Sequence, residues 1–214
     1  MAPQRVLCRD TQLIIEGYPR CANSFAVSAF RMANDPEWKI PIATHLHSPA
    51  SIKFGIQRNI PVLLLIRKPK DCIVSWLSLS IQLGKLDFRS LDPRRRKALL
   101  NYWTRRYAQF YDVLLPYADC FPTVTFEQVT TDFGHCIDRL NEHYSTSFNR
   151  FNHTEANVSK IFQASKVHLS PSAERDEIKN MICEYYMSSK NEKLRDLAEA
   201  TYYTFNKAAL IDLD

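Results

Sequence analysis

Apolar residues fall in two rhythms along this chain. Short unbroken runs come first, Leu13-Ile14-Ile15 and Val62-Leu63-Leu64-Leu65-Ile66. Such runs read as strands buried on both faces, the habit of parallel sheets. The pattern predicts strands over residues 11–15, 40–44 and 61–66. Helices are expected over residues 24–33, from an N-cap at Ser48 with Pro49 to about Arg58, and over residues 69–79. Strand and helix thus alternate through the first third of the chain, the signature of an α/β fold with a parallel sheet flanked by helices.

The rhythm then changes. Leu99, Leu100, Trp103, Tyr107, Phe110, Tyr111 and Leu114 recur every three or four residues, so residues 92–115 read as one long amphipathic helix. A further strand is expected at 122–126 and a helix at 131–144. Residues 145–163 are polar without a period and read as a loop. Helices over 172–186 and 192–206 follow. No repeat, low-complexity tract or linker interrupts the pattern, so the chain reads as a single domain.

Composition changes this picture little. With 214 residues, 45% hydrophobic and 24% charged, the chain can bury a substantial core and is not a disordered tail. A net charge of +5 mildly favours an anionic ligand. The six cysteines are scattered, with no Cys-x-x-Cys pair and no metal-ligand spacing. They read as reduced thiols of a cytoplasmic protein without a bound metal. No apolar stretch approaches the roughly 20 residues of a membrane span. Neither a membrane span nor a nucleic-acid partner is expected.

The chemistry concentrates at the ends of the first strands. After Leu13-Ile14-Ile15 comes Glu16-Gly17-Tyr18-Pro19-Arg20-Cys21-Ala22-Asn23-Ser24-Phe25. A buried strand, a tight turn and small polar residues opening a helix build an anion cradle, because first-turn N–H groups and the helix dipole favour negative charge. Arg20 adds a cation and Ser24 a hydroxyl. Residues 62–76 repeat the design, with Arg67 at the strand end and Ser75 two helical turns on. Two anion sites on one sheet point to a doubly phosphorylated nucleotide. Ligands of open α/β sheets sit beyond the carboxyl ends of the strands. Residues 18–25, 45–49 and 67–75 should therefore converge, with His45 between the two sites and His47, two residues on, as its rival.

These motifs resemble those of sulfotransferases that use 3′-phosphoadenosine 5′-phosphosulfate (PAPS). The family's loop Tyr-Pro-Lys-Ser-Gly-Thr-Thr-Trp aligns without a gap to Tyr18-Pro19-Arg20-Cys21-Ala22-Asn23-Ser24-Phe25. Its Arg-Asn-Pro-Lys-Asp, followed by Val-Ser, matches Arg67-Lys68-Pro69-Lys70-Asp71 and Val74-Ser75. Its Lys-Thr-His-Leu corresponds to Ala43-Thr44-His45-Leu46, and Phe126-Glu127 stands where the family has Tyr-Glu-Asp. The resemblance covers about residues 11–145, and implies a compact, bacterial-type sulfotransferase domain. Arg20 replaces the loop lysine, Phe25 the tryptophan near the adenine, and Ala43 a lysine that assists catalysis. The family's C-terminal Gly-rich flap has no counterpart, since the last glycine is Gly134.

The resemblance implies the following roles. His45 is the general base and Arg20 the charge stabiliser. Residues Arg20, Cys21, Ala22, Asn23, Ser24 and Phe25 hold the 5′ end of the cofactor, and Arg67 and Ser75 its 3′-phosphate. Lys166, Ser172 and Arg175, around a helix start, are candidates to replace the flap on that phosphate. The product is adenosine 3′,5′-bisphosphate, and the acceptor is a hydroxyl on a small molecule, lipid or glycan. Two other readings stand beside this one. A P-loop kinase of a small metabolite would need Gly-x-x-x-x-Gly-Lys-[Ser/Thr], which is absent. A non-catalytic nucleotide-binding protein would keep the fold without the chemistry.

Overall fold

The computed structural model describes residues 7–37, 39–164, 173–188 and 192–210. Four parallel strands form its sheet: β1 (Leu13–Gly17), β2 (Ile42–Ala43), β3 (Val62–Ile66) and β4 (Thr123–Thr125), in the order β2-β1-β3-β4. β1 and β3 are buried along their whole length, which is why their sequences do not alternate. They pair with Ile14 opposite Val62 and Gly17 opposite Leu65. A Cβ at Gly17 would lie 2.4 Å from the Leu65 carbonyl oxygen, so only glycine fits where β1 ends.

A helix follows each of the four strands. The α-helices are α1 (Asn23–Asn34), α2 (Pro49–Gln57), α3 (Pro69–Gln82), α4 (Pro93–Asp112), α5 (Phe126–Thr131), α6 (Phe133–Tyr144), α7 (Glu155–Ala164), α8 (Ala173–Met187) and α9 (Glu192–Leu210). α1 leads from β1 to β2 at one edge, and α2 crosses back to β3 on the other side of β1. The chain thus reverses direction across the sheet between β1 and β3. That switch point opens a crevice at the carboxyl ends of these strands. α4 begins at Asp92, whose Oδ1 accepts from the Arg94 and Arg95 amides at 2.9 Å each.

Several expectations needed correction. The second strand has two residues rather than five, because the chain turns left-handed at His45, with φ of 59°. The helix expected over 131–144 is α6, whose start is set by Asp132 accepting from the His135 amide, and the unexpected short α5 ends at that same residue. The polar stretch after residue 145 contains α7. Its single fully buried side chain, Ile161, leaves too little apolar signal for a period to be read. Ser48 precedes Pro49 as expected, but its side chain does not cap α2. Among the described residues no helix is long and apolar enough to cross a membrane.

Candidate functional site

The crevice is a cleft of about 820 Å³, a volume suited to a nucleotide-sized ligand. The three segments expected to converge do so. Arg20, Ala22, Asn23, Ser24 and Phe25 line it from the loop after β1, His45 and His47 from the loop after β2, and Arg67, Lys70, Asp71 and Ser75 from the end of β3 and α3. Arg175 and Lys179 of α8 close it from above α3. Among the described lining residues, Arg20, Arg67, Lys70, Lys85, Arg175 and Lys179 face one carboxylate, Asp71.

The first loop is wound against its own preference. Arg20 and Ala22 have φ of 75° and 70°, a left-handed conformation that side chains rarely adopt. Ala22 stands where the resembling family carries glycine. The strain leaves the first turn of α1 open, for no side chain caps it. Asn23, Ser24 and Phe25 of that turn line the cleft, and the N–H groups of a first helical turn are the donors an anion site uses. His45 and His47 share the left-handed conformation, with φ of 59° and 48°. Strain of this kind, gathered in one cleft, is a mark of functional sites.

Side chains tie the segments together. The Arg20 Nε donates to Ser75 Oγ at 3.0 Å, joining the two anion segments directly. Arg67 Nη1 donates to the Arg20 carbonyl at 3.0 Å, and its guanidinium stacks 3.7 Å from the Phe126 ring centroid. Its Nε is buried and makes no hydrogen bond among the described residues. Arg67 therefore clamps the first loop while keeping a donor in reserve. Burial, then the like charges of Arg175 and Arg67, push Arg20 down to about 10, so it remains a cation at neutral pH. Arg175 is buried, and its Nε donates to Gln82 Oε1 at 2.7 Å.

Other predicted residues do different work from that expected. Cys21 turns away from the cleft and is fully buried, its Sγ 3.4 Å from Cys72 Sγ and from Tyr111 Oη. Asn23 donates its side-chain amide back to the Tyr18 carbonyl at 3.2 Å, which ties that side chain to its own loop. Phe25 is buried among Phe151, His153 and Phe162. The exposed aromatic face at this end belongs to Phe162 of α7, which the sequence reading missed because it placed no helix there. Lys166 and Ser172 lie outside the described residues.

The histidine loop rests on a residue that sequence reasoning passed over. Glu16, fully buried in β1, accepts from the Leu46 amide at 2.8 Å and the His47 amide at 3.1 Å. A lone carboxylate inside an apolar strand needs such partners to be tolerated, and that was the available signal. His45 lies between two hydroxyls, Nε2 2.9 Å from Ser24 Oγ and Nδ1 3.0 Å from Thr44 Oγ1.

No family model, curated protein or solved structure matches this chain. Its function is argued from the cleft itself. What stands there is an uncapped helix start, three guanidinium groups and two histidines. Such a set can bind a nucleotide with two separated anionic groups and handle a proton beside one of them. Among the described residues no three His, Cys, Asp or Glu side chains gather as metal ligands would.

Proposed function

We propose that this chain is a sulfotransferase that moves a sulfuryl group from PAPS to a hydroxyl acceptor. The proposal includes the sulfotransferase fold, of which the four-stranded parallel sheet with its crevice is the core. The observation that carries it is the Arg20–Ser75 bond. It joins two anion-binding segments into one site, as a nucleotide with phosphates at both ends of its ribose requires.

The residues present fit that ligand. The open first turn of α1 and Arg20 would hold the 5′-phosphosulfate, and Ser24 lies beside it. Ser75, the unpaired Nε of Arg67, and Arg175 with Lys179 of α8 would hold the 3′-phosphate. Phe162 offers a ring face for the adenine, with Phe25 buried behind it. His45, touching Ser24, takes the proton from the acceptor hydroxyl. Arg20 meets the negative charge that grows on the leaving phosphate, where a positioned cation is most effective. The acceptor is a hydroxyl of a small molecule, lipid or glycan. The scattered cysteines support a reducing, cytoplasmic setting.

Thermal unfolding with adenosine 3′,5′-bisphosphate, adenosine 5′-monophosphate, or ATP with Mg²⁺ tests the reading. The bisphosphate at 100 times its Kd should add about 2.7 kcal/mol of stability. The monophosphate should do less at equal concentration. A larger shift from ATP with Mg²⁺ would favour a kinase instead, and no shift from any of them would end the nucleotide reading.

A further inference from the structure

His47 stands in a different chemical state from His45. Its Nδ1 lies 2.7 Å from the Gly17 carbonyl oxygen. A carbonyl only accepts, so Nδ1 carries a proton, and in the neutral ring the lone pair is on Nε2. Glu16 reinforces the choice, with Oε1 3.5 Å from the same nitrogen while Oε2 accepts from the His47 amide. The His47 ring is part of the cleft wall, 5.9 Å from the His45 ring between centroids. Both nitrogens of His45, by contrast, face hydroxyl groups. A ring in the wall of a ligand cleft, with Nδ1 held by a carbonyl and a buried carboxylate, is the arrangement that leaves the other nitrogen of a histidine to accept a proton.

We infer that His47 is a second general base of this site, oriented by Glu16 and Gly17 and acting on the acceptor hydroxyl. This rests on the sulfuryl-transfer reading. Where His45 does not take it, the acceptor O–H bond breaks and its proton passes to His47 Nε2. The acceptor oxygen bonds to sulfur, and the bond from sulfur to the 5′-phosphate oxygen breaks with its electron pair on the phosphate. Glu16 is a positioning residue that holds the ring and the loop without touching substrate.

Two measurements test the inference together. Nitrogen-15 spectra of the full chain at neutral pH should show His47 protonated at Nδ1 and unprotonated at Nε2. Turnover of PAPS, with 4-nitrophenol or water as probe acceptor, is then compared among wild type, His45→Asn, His47→Asn and the double variant. Asparagine is used because it tolerates the left-handed backbone at both positions. All four proteins should bind adenosine 3′,5′-bisphosphate alike. His45→Asn should keep a residual rate that adding His47→Asn lowers by about 10²-fold. A proton on His47 Nε2, or a double variant no slower than His45→Asn, overturns the second base alone; bisphosphate binding without turnover on either probe overturns the transfer reading and the second base with it. Failure of the wild type to bind the bisphosphate overturns the transfer reading and this inference with it.

Discussion

Arg20 and Ser75 meet through a 3.0 Å hydrogen bond from Nε to Oγ, although 55 residues separate them. The bond spans the crevice between the loop after β1 and the second turn of α3. It holds a guanidinium with φ of 75° in a position that burial and two neighbouring arginines make unfavourable for a cation. The free protein thus crowds Arg20, Arg67 and Arg175 together, and an added anion would ease that crowding.

Arg20→Gln should reveal that relief. Removing one of three crowded cations is expected to raise the melting temperature of the free protein by about 2–4 °C, the equivalent of about 1 kcal/mol in a chain of this size. The shift produced by adenosine 3′,5′-bisphosphate should fall away in the same variant. Scanning fluorimetry with and without ligand reads both. An undiminished ligand shift would remove Arg20 from the anion site.

The two ends of the nucleotide should separate by mutation. Arg175→Gln is expected to weaken the bisphosphate by roughly 10- to 150-fold, the loss of a charge-assisted bond worth about 1.5–3 kcal/mol. Adenosine 5′-phosphosulfate, which lacks the 3′-phosphate, should bind almost as before. Arg67→Lys should weaken both ligands, because Arg67 also clamps the Arg20 carbonyl. Calorimetric titration distinguishes the patterns, and equal loss for both ligands in Arg175→Gln would refute its assignment.

Tyr111 connects the long helix to the site. Its hydroxyl donates to the Leu65 carbonyl at 2.8 Å and accepts from the Tyr18 amide at 3.2 Å, fully buried. Tyr111→Phe leaves both backbone groups without that partner. We expect a loss of about 1–3 kcal/mol in urea unfolding, together with weaker bisphosphate binding as the loop at Tyr18 loosens. Unchanged stability would mean the two groups find other partners.

Glu199 on α9 sets a pH dependence. Burial raises its pKa above the ordinary 4.5, against the pull of Lys68. Between 4.5 and that raised value the folded state binds more protons than the unfolded state. Its contribution is therefore full below about pH 4.5 and is lost as pH rises through the folded value. Glu199→Gln should raise the melting temperature at pH 7.5 and lose that advantage towards pH 4. An equal gain at both pH values would contradict the sign.

The unbroken apolar runs at Leu13–Ile15 and Val62–Ile66 made the central parallel pair legible, because a strand covered on both faces has little polar alternation. The turn chemistry at residues 18–25 marked the anion loop for a similar reason: small polar residues after a buried strand have few other uses. The spacing of leucines and aromatics also betrayed α4, whose apolar stripe is long enough to show its period.

The tertiary structure alone decided which of those residues line the cleft. Cys21 belongs to the anion-loop motif in sequence yet points into the core, while Phe162, Arg175 and Lys179 reach the same cleft from distant helices. Glu16 shows the reason most clearly. Along the chain it is one carboxylate in an apolar strand, 30 and 31 residues from the Leu46 and His47 amides it holds. Only folding brings the amides of Leu46 and His47 against it. The resulting hydrogen bonds, and the ring geometry they impose on His47, depend on direction and distance, which a one-dimensional pattern of residue types does not encode.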